Sequence, residues 1–227
     1  MTLTHGMLHA TIARHFLDHG TAPTVAQLGA KLALEPAAVS SALRALADYH
    51  GVVLHSSSGE IWAMHPFSAA PTSFWVESGG RGWWGNCAWC SLGIVALLDA
   101  DATITTTFGG ESRQVVVQVR DGAVVPADYR VHFPIPMVHA WDNVTYTCST
   151  MLVFESDAEV DSWCARHAMP RGDVQSIETV WAFAKAWYGR HLDPEWTKWT
   201  TEEARALFAR FGLVGRIWEL PGTDERF

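Results

Sequence analysis

The chain has 227 residues, 48% of them hydrophobic, and a formal net charge of −8. That length supports a substantial core in one large or two small domains, while the acidic balance argues against nucleic acid or an anionic membrane as a partner of the whole molecule. Four cysteines are too few for a disulfide scaffold, and the first residues lack the basic-then-apolar order of a secretory signal; the expected location is the cytoplasm, where these thiols are free to bind metal or react.

Taken in chain order, residues 1–66 read as three short helices and a hairpin. The first helix runs from Leu8 to His19. TVAQLGAKLAL follows with Thr24 as N-cap, and then EPAAVSSALRALADYHG, opened by Pro36 and closed by Gly51. VVLHSSSGEIWAMHP supplies two short β runs around a Ser-Gly turn. Helix, helix, helix, hairpin is the order of a winged helix-turn-helix module. Charge argues against DNA: Arg14, Lys31 and Arg44 face Asp18, Glu35, Asp48 and Glu60, so nothing neutralises a row of phosphates. A packing or dimerising module fits better, and a homodimer is the matching expectation.

Residues 67–85, rich in Pro, Gly and Ser, read as a linker. Residues 86–227 then run from strands to helices, an α+β layout. GNCAWCSLGIVALLD opens this part as a helix, with Asn86 as the expected N-cap and Cys87 and Cys90 on one face of the first turn. Strands follow in ATITTTF, RQVVVQVRDG and YRVHFPIP, with a turn at Arg120-Asp121-Gly122. VTYTCSTMLVF alternates as a strand that points Cys148 into the core. Helices are expected in DAEVDSWCARHA, VQSIETVWAFAKAWYGRH and TTEEARALFARFGL, the last with a capping box from Thr200 to Glu203. Tyr188 to His191 read as a basic helix end answering the dipole. No run of about 18 apolar residues predicts a membrane span.

The chemistry concentrates in the cysteines. A helix N-terminus favours thiolate over thiol, so Cys87 and Cys90 suit a nucleophile or a soft-metal ligand, and Cys148 offers a third sulfur. A thioredoxin-like couple lacks the strand expected to run straight into the motif. Structural zinc lacks an obvious fourth ligand, His139 being the nearest candidate in sequence. The alternative is that these are small core residues, the reading taken for Cys164 beside Trp163. Trp89 is expected to pack, and the Trp83-Trp84 pair to pack or to line an apolar entrance.

The order of a helical front, a cysteine heading an apolar helix, strands, and a second inward cysteine before a helical tail resembles the alkylmercury (organomercurial) lyases. The likeness is sharpest over CAWCSLGIVALLDADATI and YTCSTMLVFESDAEVDSWCARH. The resemblance implies an N-terminal winged-helix-like module followed by an alkylmercury-lyase-like mixed strand/helix domain. It places Cys87 and Cys148 on the two catalytic cysteines, with Cys87 as principal nucleophile, and Cys90 where the family carries a catalytic aspartate. Two thiolates would grip mercury and an acid would protonate its carbon, with no further cofactor required. Mercury, with copper or zinc as alternatives, would be held by Cys87, Cys90 and Cys148, and small thiols would carry the metal away. The partner would be a small organometallic or apolar organic molecule. With Cys90 in place of a carboxylate, and Asp99, Asp101 and Asp142 far along the chain, the expectation divides between a slow lyase, a non-catalytic thiolate metal binder, and a relative acting on another small organic molecule.

Overall fold

The computed structural model describes residues 3–222. Three helices come first: α1 (His5–His19), α2 (Val25–Leu32) and α3 (Pro36–Asp48). Each start is written locally. Thr4 and Thr24 cap α1 and α2 with their side chains, Gln27 completes a capping box, and Pro36 pre-sets the first turn of α3. The hairpin β1 (Val53–Leu54) and β2 (Ile61–Met64) follows, and β2 pairs onward with Phe67–Ser68.

Residues 67–85 are not a linker. They form β3 (Phe67–Ser68), β4 (Trp75–Ser78) and β5 (Arg81–Gly85) at the middle of an eight-stranded antiparallel sheet. The glycines that suggest a joint have another purpose: a Cβ on Gly82 would lie 1.9 Å from Cζ2 of Trp75, so glycine admits the indole across the β4–β5 pair. The sheet continues through β6 (Ala102–Thr107), β7 (Gln114–Arg120) and β8 (Ala123–Val125), in the order β1-β2-β3-β5-β4-β6-β7-β8. Asp121 and Gly122, both at positive φ, make the expected turn between β7 and β8.

Between β5 and β6 runs α4 (Ala88–Leu98), apolar on all sides and buried along nearly its whole length. It packs on β3, β4 and β5 and against α7 (Ile177–Tyr188), which makes it the central rod of the molecule. The contact with α7 is close: a Cβ on Gly93 would come 2.4 Å from Cδ2 of Tyr188.

A second antiparallel sheet, β10-β9-β11, comprises β9 (Arg130–Phe133), β10 (Val153–Phe154) and β11 (Asp173–Ser176). The expected strand over residues 144–154 is mostly helix: α5 (Val144–Ser149) precedes the two residues of β10. Asn143 accepts a hydrogen bond from the Tyr146 amide, and Thr147 Oγ1 donates to the Ala140 carbonyl at 3.0 Å. These local bonds and tertiary packing outweigh the β preference of Val144, Thr145 and Tyr146. The remaining helices, α6 (Asp157–His167) and α8 (Thr201–Arg210), lie where the periodicity places them, the latter with its Thr200–Glu203 capping box. No helix among the described residues is long and apolar enough to cross a membrane.

Candidate functional site

Three short pieces of chain meet at the N-terminus of α4. Cys87, rather than Asn86, is the N-cap: its Sγ accepts a hydrogen bond from the Cys90 amide at 3.3 Å. Asn86 ties the helix start to its neighbour instead, its side-chain amide donating to the carbonyls of Pro66 and Phe67 at 3.1 and 2.9 Å. That clamp sets the backbone next to His65. The third piece arrives through Met151, whose carbonyl accepts from the Ala88 amide at 3.1 Å, with the Met151 amide bonded back to Cys148. Cys148, on α5 rather than a strand, still turns inward and is 5% exposed.

The result is a cluster of sulfur and nitrogen. Cys90, Cys148 and His65 each bring one ligand-type atom within 4.8 Å of the others. His65 Nε2 lies 3.3 Å from Cys148 Sγ, and Tyr188 Oη lies 3.5 Å from Cys90 Sγ. All four cysteines are free. Cys164 stands elsewhere, packed near His132. His139 is exposed and paired with Asp142.

Charge in the cluster is unevenly shared. Burial pushes the Cys90 thiol up, but hydrogen bonding with Cys148 and Cys87, the field of His65 and the Tyr188 hydroxyl together hold it well below its ordinary value. Burial raises Cys87 well above that value. Hydrogen bonding with Cys87 and Cys90, with burial added, does the same to Cys148. Of the three sulfurs, Cys90 is the one whose surroundings favour charge.

Beside it lies a cavity of about 90 Å³. Cys90, Cys148 and His65 line it; Cys87 does not. Indoles make much of the wall: Trp89, Trp141, Trp187, Trp196 and Trp199. Trp89 both packs, stacked on Phe183 at 4.7 Å, and faces this space. Trp83 and Trp84 do not reach it; Trp83 is core, its Nε1 donating to the Phe16 carbonyl. Among the described residues, no carboxylate lines the cavity. The front of the chain supplies His9, His50 and Gly51 to the wall, and the segment after α7 supplies His191.

Sequence reasoning selected all three sulfurs but missed His65, Trp141, Tyr188 and His191. His65 carries no spacing signal, lying 83 residues from Cys148. Trp141 stacks on His50 at 4.3 Å and stands edge-on to His65 at 5.5 Å. The helix end read as a dipole answer instead places Tyr188 and His191 in the cavity wall.

A family model described as alkylmercury lyase (MerB) matches residues 67–189, more than half of the chain. Among solved structures, the mercury-bound form of MerB2 is similar with a TM-score of 0.63 at 21% identity, over 81% of this chain and 91% of that one. At that identity the likeness speaks for the fold. No curated protein matches the chain.

Proposed function

The chain belongs to the alkylmercury lyase family, and we propose that it captures a small organomercurial on its cysteine sulfurs and cleaves the carbon–mercury bond by protonolysis. The observation that carries this reading is the meeting of Cys90, Cys148 and His65 on one cavity wall, their ligand-type atoms within 4.8 Å of one another. Soft sulfur selects soft mercury, and the indole-lined space suits an alkyl or aryl group.

The steps balance with the groups present. The Cys90 thiolate displaces a small thiolate from R–Hg–SR′, forming R–Hg–S(Cys90) and releasing R′S⁻. Cys148 then forms a bond to mercury while its S–H proton passes to the carbon. The carbon–mercury bond breaks, hydrocarbon RH leaves, and Hg(II) remains on two sulfurs. The thiol thus takes the part of the aspartate that the family carries at the position of Cys90. His65, at 3.3 Å from Cys148 Sγ, is placed to carry that proton. Cys87, behind the other two, completes a three-sulfur grip on the product, which leaves by exchange with small thiols.

The test is anaerobic incubation of the reduced protein with phenylmercury and excess small thiol, with gas chromatography for benzene. Benzene beyond one equivalent, lost in Cys148→Ser, is the expected outcome. Mercury retained with no benzene would overturn the cleavage step.

A further inference from the structure

The mercury end of the site is sulfur; the rest of the cavity has a chemistry of its own. We propose that the organic group this cavity takes is a single aromatic ring bearing a carboxylate, with the indole N–H of Trp89 donating to the carboxylate oxygen. This deepens the organomercurial reading and rests on it for the mercury end alone. The substrate class becomes arylmercury carboxylates, with short alkylmercurials disfavoured.

Size sets the first limit. A cavity needs about 10–15 Å³ for each water-sized group it holds, so about 90 Å³ takes about six to nine non-hydrogen atoms. That is one ring with a small substituent, and far more than a methyl or ethyl group fills.

The wall sets the second. Among the described residues five indoles line the cavity, and flat aromatic faces pair best with another ring. Much of that wall lies outside residues 67–189, the segment that matches the family model: His9 and His50 come before it, and Trp196, Lys198 and Trp199 after it. The family pattern therefore does not prescribe this end of the site.

Polarity decides the substituent. Trp89 is 7% exposed, and its Nε1 has no hydrogen-bond partner among the described residues. An indole nitrogen can only donate, and an unpaired buried donor is costly. The ring is held against turning, because Phe183 stacks on it at 4.7 Å while Trp187 and Tyr188 pack on it at 5.3 and 5.8 Å. The ligand must bring the acceptor. Charge favours a carboxylate over a neutral oxygen. Lys198 stands on the same wall with its Nζ buried, 5.5 Å from the Tyr49 ring centroid, and among the described residues no carboxylate lines the cavity to repel an anion.

Two measurements on the full-length reduced protein, under anaerobic conditions, test this. The first compares cleavage of 3- and 4-mercuribenzoate, which release benzoate, with cleavage of phenylmercury. At least one isomer should show a kcat/KM roughly tenfold or more above that of phenylmercury, although its carboxylate withdraws electron density from the carbon to be protonated. In Trp89→Phe, with its fold checked by circular dichroism, that ratio should fall toward one. The second uses no mercury: in NMR titrations, Trp89→Phe should weaken benzoate binding roughly tenfold and toluene binding much less. Phenylmercury turned over as well as both mercuribenzoates, a preference that survives in Trp89→Phe, or equal losses of benzoate and toluene would each overturn the proposal. Benzoate binding that depends on Trp89, with no mercurial cleaved, would keep the cavity assignment and overturn the cleavage reading instead.

Discussion

At the scale of single residues, Cys90 is the sulfur that its neighbours serve, because Cys148, Cys87, His65 and Tyr188 all favour its charged form against the cost of burial. A thiol of ordinary pKa is only about 1% ionised at pH 6.5. A lowered pKa keeps thiolate present below that range, so alkylation of Cys90 should persist at pH 6.5 while Cys87 and Cys148 stay unlabelled, as peptide mass spectrometry would show. Equal labelling of the three would contradict the charge assignment. Tyr188→Phe removes the hydroxyl 3.5 Å from Cys90 Sγ and should move the labelling profile to higher pH. In turnover, Cys90→Ser should lose at least about two orders of magnitude in benzene release, a serine hydroxyl being a far weaker mercury ligand. Cys87→Ser should lose less, since a serine keeps the helix cap.

At the scale of elements, the site depends on how short pieces are held. Six-residue α5 carries Cys148, and its start rests on Asn143. Asn143→Ala should cost about 1 kcal/mol of stability, read from denaturant unfolding, and should reduce benzene release by displacing Cys148. A stability loss with full activity would show that the packing of Met151 alone sets that sulfur. Where α4 crosses α7, Gly93→Ala would drive a methyl against the Tyr188 ring and should cost about 1–3 kcal/mol through overpacking. These two places also show why local reading fails. Residues 144–147 look like a strand by composition, yet one cap and one threonine bond make them a helix. Residues 67–85 look like a joint, yet Gly82 leaves space for Trp75 and Gly85 for the close packing of strand on helix, where it meets Ser91, while Gly79 and Gly80 make the turn between β4 and β5. Periodicity was enough for the long helices, where many residues report one face, and for β6 and β7, whose alternation is unbroken.

At the scale of the whole molecule, the two halves of the chain close on the cavity together. His9 on α1 donates from Nδ1 to the His191 carbonyl at 3.2 Å, across 182 residues, and stacks on Trp196 at 3.7 Å. Gly6 lets α1 approach: a Cβ there would meet the Pro194 carbonyl oxygen at 2.5 Å. This junction should make stability depend on pH. Burial lowers the His9 pKa to about 3, against 6.5 in the ordinary state, so between these values the unfolded chain binds the extra proton. Stability is therefore full above pH 6.5 and falls as pH drops toward 3, by about 1.4 kcal/mol at pH 5.5 and about 2.7 kcal/mol at pH 4.5 for this one group. His191, also lowered by burial, steepens the fall. Urea unfolding at pH 7.5 and 5.5 should show the loss, and His9→Gln should flatten it; an unchanged stability between the two pH values would refute the linkage.

What the sequence by itself determined is what neighbours along the chain decide: the capped helices, the alternating strands, the cysteines three apart at a helix start, and the family resemblance those cysteines carry. What only the tertiary structure decided is which atoms share a space. His65, Tyr188 and His191 are separated from the cysteines by tens to more than a hundred residues, and no periodicity links them. Their roles come from the β2–β3 connection, the end of α7 and the segment beyond it converging on one helix terminus. The choice of Cys90 over Cys87 as the cavity-facing sulfur has the same origin. Both lie at the same helix start, but one sulfur is spent capping the helix and the other faces the indole-walled space.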